Sequence, residues 1–241
     1  MEFTRSGAIA LITGSVVTCL VFAFHPSHLD PHPLVGAFTL SQIVHSAAII
    51  AAPVLLYGAW AVANWLGWTT AARLGLVCAG FAMMLTVNAA VISAFVTPAA
   101  AQASGLMMQQ AAGPNPHLQS PTAPSPGGHH AAVQMPPLVQ LSVAMNRGLA
   151  QVHVALWSLA ILLFAFSIWQ RSPALSATGL LAGAFPIAWQ LSGTFSPETH
   201  TMPMIVFVQG AWLIALAVTM ARTSAAAAGA ADRNAEPVPA S

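Results

Sequence analysis

The sequence predicts an all-α, polytopic membrane helix bundle of about six transmembrane helices, and three observations lead to that fold class. The 241-residue chain is 57% hydrophobic and only 5% charged, and its mean hydropathy is +0.74. A soluble domain usually carries about a quarter charged residues, so this composition cannot supply a water-soluble surface. Several apolar runs are close to the ~20 residues that cross a hydrocarbon core, where backbone groups must be satisfied within helices.

We expect six apolar spans within one transmembrane domain, residues 1–221. The spans are 7–25, 36–64, 73–97, 147–169, 174–195 and 203–221. The first run is followed by His25-Pro26 without a small-residue cleavage signature, which favours a retained helix over a signal peptide. The Pro-, Gly- and Gln-rich stretch 98–146 predicts a flexible outer loop, and residues 222–241 predict a disordered cytoplasmic tail.

The placement of the basic residues predicts that both chain ends lie in the cytoplasm. All basic residues are arginines, and only Arg147 falls in a predicted outer connection. The others flank the amino terminus, the two short connections and the tail: Arg5, Arg73, Arg171, Arg222 and Arg233. Because arginine is enriched on the cytoplasmic side, the expected topology is N-in/C-in in a bacterial inner membrane.

Two predicted hairpins share a weak sequence pattern. The second span contains Gln42 and His45, the fourth contains Gln151 and His153, and the span after each carries a Gly-Leu pair. The pattern predicts a parallel hairpin repeat, spans 2–3 and 4–5. A chance match between apolar segments explains the pattern equally well.

All nine histidines are expected on or near the outer side of the membrane. The predicted outer loops contain His25, His28, His32, His117, His129, His130 and His200. Two others, His45 and His153, enter the membrane from the outer side, about 30 and 24 Å of helix away from the inner tryptophans Trp65 and Trp169. Imidazole is the commonest protein ligand for transition metals, so this one-sidedness indicates a metal site near the outer face.

The first outer loop concentrates ligand-type side chains. His25, His28, Asp30 and His32 fall within eight residues, and the interleaved prolines prevent a helix, so the ligands would converge in a turn. His200 in the last outer loop is a further candidate. Imidazole with thioether suits copper, and imidazole with carboxylate suits zinc or iron. These residues therefore predict a metal site, with copper first and zinc as an option.

A second geometry uses the two membrane histidines. His45 and His153 lie at similar predicted depth on helices that run in the same direction, so they are candidates for the axial ligands of haem b. The small residues after His45 would leave room for a porphyrin edge. The ordinary alternative is that each histidine hydrogen-bonds a neighbouring helix, and that the loop histidines are merely solvated.

Three functions follow from these patterns. The first is a redox or metal-handling membrane protein, and the second is a non-catalytic accessory subunit of a larger membrane complex. The third is a small-solute channel or carrier lined by Thr86, Asn88 and Gln190, polar residues that otherwise form interhelical hydrogen bonds. No phosphate-binding loop, nucleophile elbow or zinc-helix motif is present, so catalytic residues are not assigned. The expected partners are lipid and other membrane subunits, not nucleic acid, because the net charge is only +1.

The amino-terminal part of the chain resembles a group of uncharacterised bacterial multi-pass membrane proteins. The resemblance covers about residues 8–97 and depends on His25-Pro26 after the first helix and on His45 at the entry to the second. It implies the helical membrane fold and no particular activity.

Overall fold

The computed structural model describes residues 2–25, 34–35, 38–103, 105, 136–195 and 201–234. Its helices are α1 (Glu2–Ala23), α2 (Leu40–Trp65), α3 (Thr70–Val91), α4 (Thr97–Ala103), α5 (Pro137–Ser167), α6 (Pro173–Leu191) and α7 (Thr201–Asn234). A π-helical turn, Ile92–Val96, continues α3 into α4. The antiparallel strands β1 (Leu34–Val35) and β2 (Phe38–Thr39) form a short hairpin directly before α2.

The predicted fold class is confirmed. Six helical segments of the described chain are long and apolar enough to cross a membrane. They are Glu2–Ala23, Leu40–Trp65, Thr70–Ala103, Pro137–Ser167, Pro173–Leu191 and Thr201–Ala227. The chain is therefore a multi-pass membrane protein, and the many exposed apolar side chains on the outside of the bundle are the surface that contacts lipid.

The six spans pack as a ring. Helix α1 contacts α2 and α7, α2 contacts α3, α3 contacts α5, α5 contacts α6, and α6 contacts α7. We call the end where α1 begins and where α2 and α5 finish the arginine end, since Arg5, Arg73 and Arg171 lie there. The opposite end, where α1 finishes and α2 begins, is the histidine end and contains His25 and His45.

The arginine half of the ring is filled by a close-packed core. Leu11, Ile161 and Phe164 are at most 2% exposed, and they pack against small residues that let the helices approach closely. A methyl group added at Gly58 would lie 2.9 Å from the Cα atom of Leu11, so α1 and α2 meet there at backbone distance. The core leaves the histidine half as the part of the bundle with internal space.

Two boundaries differ from the sequence-based expectations. Helix α5 begins at Pro137 rather than at residue 147, and α7 continues to Asn234 rather than ending near residue 221. Proline is favoured at the first helical position, so Pro137 starts a helix instead of extending a loop. The alanines after Arg222 have the highest helix propensity, which explains the longer α7.

Both ends of the predicted outer loop are also helical. Residues 97–103 form α4, residues 137–146 belong to α5, and the Thr97 hydroxyl donates to Ser142 Oγ at 3.1 Å. The centre of that loop, apart from residue 105, and residues 235–241 lie outside the described residues. The parallel hairpin repeat stays a prediction.

Candidate functional site

A cavity of about 180 Å³ lies inside the histidine half of the bundle. Its walls come from residues 15–25 of the first span, 45–55 of α2, 83–93 of α3 and the π-turn, 146–157 of α5 and 202–213 of α7. The walls are mostly apolar, and none of the described lining residues is charged. A mostly apolar cavity with a few polar groups is typical of a small-ligand site.

His45 is positioned by the start of α2. The Thr39 amide donates to Gln42 Oε1 at 3.0 Å and the Gln42 amide donates to Thr39 Oγ1 at 3.2 Å, a capping box that fixes the first turn. His45 follows on the next turn, is 7% exposed, and its Nδ1 lies 2.7 Å from the Ser41 carbonyl oxygen. Because a carbonyl can only accept, Nδ1 carries the proton and Nε2 carries the lone pair of the neutral ring.

His25 lies next to His45 at the end of α1. The two imidazole centres are 5.0 Å apart with 72° between the planes, and the His25 ring also stacks on Phe22 with ring centres 6.1 Å apart. The structure thus brings together one histidine predicted for the metal site and one predicted for the haem site.

His153 links α5 to α3. Its Nδ1 lies 3.0 Å from the Ala82 carbonyl oxygen and 2.8 Å from Thr86 Oγ1, and its ring is nearly parallel to that of Trp157, 12° between planes at 6.5 Å. The Ala82 carbonyl again requires the proton on Nδ1, so the lone pair of the neutral ring is on Nε2. His153 therefore forms the interhelical hydrogen bond that was the ordinary alternative to a cofactor role.

Other polar side chains complete the lining: Ser15, Thr18, Thr86, Ser93, Asn146 and Gln209. Ser93 belongs to the π-helical turn, and such turns occur frequently at functional sites. Gln209 Nε2 donates to Ser158 Oγ at 2.9 Å, which links α7 to α5 beside the cavity. Within the described residues, Ser15 Oγ and Asn146 Oδ1 are buried without a hydrogen-bond partner.

Sequence reasoning missed Ser15 and Asn146. Asn146 was assigned to the outer loop because the fourth span was started one residue later, and Ser15 is one of several small residues in an apolar run. A start of α5 at Pro137 would have placed Asn146 two turns before His153, on the same face of the helix.

Two residues expected to line a cavity do not do so. Asn88 donates from Nδ2 to the Met84 carbonyl at 2.8 Å, and Gln190 donates from Nε2 to the Gln151 carbonyl at 3.1 Å. Neither residue is among the cavity lining, whereas Thr86 is. Asn88 follows Thr86 by two positions, about 200° around the helix, so the two side chains cannot share a face.

Several predicted ligands lie outside the described residues: His28, Asp30, His32, His117, His129, His130 and His200. Within the described ranges, no group of three or more His, Cys, Asp or Glu side chains is arranged to hold a metal ion. Cys19 and Cys78 form no disulfide. The described part of the chain therefore contributes an imidazole pair, His25 and His45, rather than a complete set of ligands.

The fold and the cavity define the class of protein: a multi-pass α-helical membrane protein with an internal cavity lined by histidines. No protein-family model, curated protein or solved structure matches the chain. Function is therefore inferred from the cavity and its side chains.

Proposed function

We propose that this membrane protein binds a copper ion through His25 and His45, near the outer face of the membrane, and that it handles or transfers that metal or its electrons. The observation that carries the proposal is the 5.0 Å separation of the two imidazole centres at the end of the cavity. The sequence predicts His25 as a metal ligand in the first outer loop and His45 as a haem ligand in the membrane.

The separation suits a shared ion. With metal–nitrogen bonds of about 2.0–2.1 Å, each ring centre lies roughly 3.1 Å from the ion. Two centres 5.0 Å apart then subtend roughly 105° at the ion, which is close to a tetrahedral angle. The hydrogen bond from His45 Nδ1 to Ser41 supports the same role, because a ligating imidazole typically donates its other N–H to a carbonyl.

The other donors favour copper over zinc. Met83 and Met202 line the cavity, while no described carboxylate or thiol lines it. Imidazole with thioether is a donor set that suits copper, whereas zinc sites use imidazole, thiolate and carboxylate. His28, Asp30 and His32 follow His25 within about 25 Å of extended chain. We propose that His28, His32 and His200 are the additional ligands and that Asp30 accepts a hydrogen bond from one of these imidazoles.

The haem alternative has less support. The two axial imidazoles of a haem lie on opposite sides of the iron, with ring centres roughly 6.3 Å apart for iron–nitrogen bonds of about 2.0 Å. The imidazole in ring contact with His45 is that of His25, at 5.0 Å between centres. The cavity volume of about 180 Å³ is also below the ~300–1,000 Å³ of pockets for drug-sized ligands, and haem is larger than most of these. The proposal therefore places an ion at His45, not a porphyrin between His45 and His153.

The contacts of Arg171 support the N-in/C-in topology, which would put the copper site on the periplasmic side of a bacterial inner membrane. Arg171 donates from Nη1 to the Trp65 carbonyl at 2.7 Å and lies over the Trp65 ring at 4.9 Å. Trp65 in turn donates from Nε1 to Thr223 Oγ1, beside Arg222, at 3.2 Å. Arginines from different parts of the chain thus gather with tryptophan at one end, as expected for a cytoplasmic interface.

The accessory-subunit and carrier alternatives stay predictions. The outer faces of the helices are mostly apolar, as lipid contact alone requires. The predicted carrier path loses two of its three residues, because Asn88 and Gln190 do not line the cavity.

The proposal is tested by metal analysis of variants purified without a polyhistidine tag and loaded with Cu(I). His25→Ala and His45→Ala should each lower bound copper at least tenfold, whereas His153→Gln and His129→Ala should keep it. Copper retained by both His25→Ala and His45→Ala would overturn the assignment. A haem chromophore that is present in the original chain and lost in each of the single variants His153→Gln and His45→Ala would establish the haem alternative instead.

A further inference from the structure

The arginine end of the bundle carries excess positive charge where the helices leave the membrane. The charged side chains described at this end are exposed, and four are arginines against one carboxylate: Arg5, Arg73, Arg171 and Arg222 against Glu2. The net charge of this set is +3. Because arginines in the headgroup layer attract anionic lipids, this end is a candidate lipid-binding surface.

The end of α2 explains why Arg171 is fixed in this layer. The amides of Gly67 and Trp68 each donate to a carbonyl of α2 at 3.0 Å, a Schellman motif that satisfies two of the last carbonyls of the helix. The motif leaves the Trp65 carbonyl for another donor, and Arg171 Nη1 donates to it at 2.7 Å. The guanidinium also lies 4.9 Å from the centre of the Trp65 ring, so it is held at two points.

Trp68 makes the support of this guanidinium rigid. Its φ is 57°, the one positive φ of a non-glycine residue within the described chain, and such a conformation is an outlier for a bulky side chain. Its indole Nε1 donates to Asn64 Oδ1 at 3.1 Å, and the half-buried rings of Trp65 and Trp68 both pack on the core. Backbone strain persists only where the surrounding contacts over-determine it. The two indoles are therefore a fixed platform for Arg171.

One edge of the Arg171 guanidinium is available to a ligand. Arg171 is exposed, and within the described part of the chain its side chain makes one hydrogen bond, from Nη1 to Trp65, and no ion pair with a carboxylate. The N–H groups of Nε and Nη2 form a fork that matches two oxygens of a phosphate. Because the guanidinium is already immobilised, binding costs little further side-chain entropy.

A second arginine lies next to the same indole. Trp65 Nε1 donates to Thr223 Oγ1 at 3.2 Å, and the preceding residue of α7 is the exposed Arg222. Two positive charges therefore adjoin Trp65, one from the α5–α6 connection and one from α7. A phosphatidylcholine headgroup would add its own positive charge to this patch, whereas a phosphatidylglycerol headgroup adds the phosphate alone, so the patch favours an anionic phospholipid.

Apolar side chains beside Arg171 select a lipid over free phosphate. Phe166 and Trp169 closely precede Arg171 along the chain and are 68% and 52% exposed. On a membrane-spanning bundle, large exposed apolar side chains contact acyl chains, and tryptophan is favoured at the headgroup level. A ligand that meets these rings and the guanidinium together has a phosphate and acyl chains.

We propose that the arginine end binds an anionic phospholipid, with Nε and Nη2 of Arg171 donating to its phosphate and Arg222 adding a second positive charge. The acyl chains would lie along the apolar side chains that include Phe166 and Trp169. Free phosphate offers the same oxygens, but the proposal commits to the lipid because of these rings. It does not depend on the copper site.

The test is native mass spectrometry of the full chain, stripped of lipid in detergent and titrated with phosphatidylglycerol, with phosphatidylcholine of the same acyl chains, or with glycerol phosphate. Phosphatidylglycerol should bind about tenfold more tightly than phosphatidylcholine. Glycerol phosphate, which has the phosphate and no acyl chains, should not bind. Equal binding of the two lipids would overturn the proposal, and glycerol phosphate bound as tightly as phosphatidylglycerol would overturn the choice of a lipid.

Matched variants separate lipid binding from the structural contact of Arg171 with α2. Arg171→Gln should lower the preference for phosphatidylglycerol about tenfold, the equivalent of one lost hydrogen-bonded ion contact, and Arg222→Gln should lower it about fivefold. Arg147→Gln removes the same charge from the first half of α5, away from the arginine end, and should keep the preference. If Arg171 only caps α2, Arg171→Gln leaves the preference unchanged. That result, or an equal loss in Arg147→Gln, would overturn the proposal.

Discussion

Replacing His153 with leucine tests whether this histidine is an interhelical link or a cofactor ligand. One N–H group of His153 faces the Ala82 carbonyl and Thr86 Oγ1 at 3.0 and 2.8 Å. Since the Thr86 hydroxyl also donates to the Ala82 carbonyl at 3.1 Å, the three groups form one small network between α3 and α5. His153→Leu removes the α5 side of that network and keeps an apolar side chain of similar size.

The expected loss of stability follows from measurements on comparable links. Interhelical side-chain hydrogen bonds in membrane proteins average about 0.6 kcal/mol, with a maximum near 1.7. His153 has two acceptors in reach but a single proton to share, so we expect His153→Leu to lower the free energy of unfolding by about 1 kcal/mol. Bound copper should be unchanged, because the ion is proposed at His25 and His45.

The assay is SDS-induced unfolding followed by tryptophan fluorescence, with a double-mutant cycle to Thr86→Val. The cycle should give a coupling energy of about 0.5–1.5 kcal/mol, as for other residues within one network. Val152→Leu, on the exposed side of α5, is the control and should change stability by less than about 0.5 kcal/mol. A coupling energy near zero, together with lost metal or haem in His153→Leu, would refute the interhelical role.

Three further predictions concern the bundle and its topology. Gly183→Ala should lower the free energy of unfolding by about 1–3 kcal/mol, because its new methyl group would lie 2.7 Å from the Ser158 carbonyl oxygen and overpack the helices. Gly148→Ala, which has open space around it, should cause no such loss. SDS-induced unfolding measures both variants. Arg171→Gln should cost less than about 1 kcal/mol, because the lost contact to α2 is exposed, and a larger loss in the same assay would contradict that. The topology is checked with single cysteines on a background without Cys19 and Cys78. Ser172→Cys should react with a membrane-impermeant maleimide only after the membrane is permeabilised, whereas Thr194→Cys should react in intact cells. The reverse pattern would contradict the N-in/C-in topology.

The six spans were predictable because their lengths and apolar composition leave few alternatives in a membrane. The start of α5 was not, because Pro136 and Pro137 were interpreted as loop residues although proline also begins helices. Helix α7 extends past Arg222 for a related reason: an alanine-rich stretch without apolar periodicity is compatible with disorder and with helix. Composition alone does not separate these outcomes.

The candidate site was predictable only in part. The one-sided distribution of histidines indicated the end of the bundle where the cavity lies, and His45 and His153 both line that cavity. The neighbour of His45 is His25, and that contact depends on how α1 finishes beside α2, which follows from tertiary packing. Asn146 was not predicted because it was assigned to the outer loop, and Ser15 was not because a small hydroxyl in an apolar run gives no periodic signal. Only the packed bundle shows that their oxygens are unpaired.

The most direct test of the copper proposal is metal analysis with an optical spectrum, on protein extracted gently from its native membrane without a polyhistidine tag. The proposal predicts about one copper ion per chain, held by imidazole nitrogens at about 2.0 Å, and no Soret band. A Soret band that sharpens on reduction, or protein that contains no copper and takes none up, would contradict it.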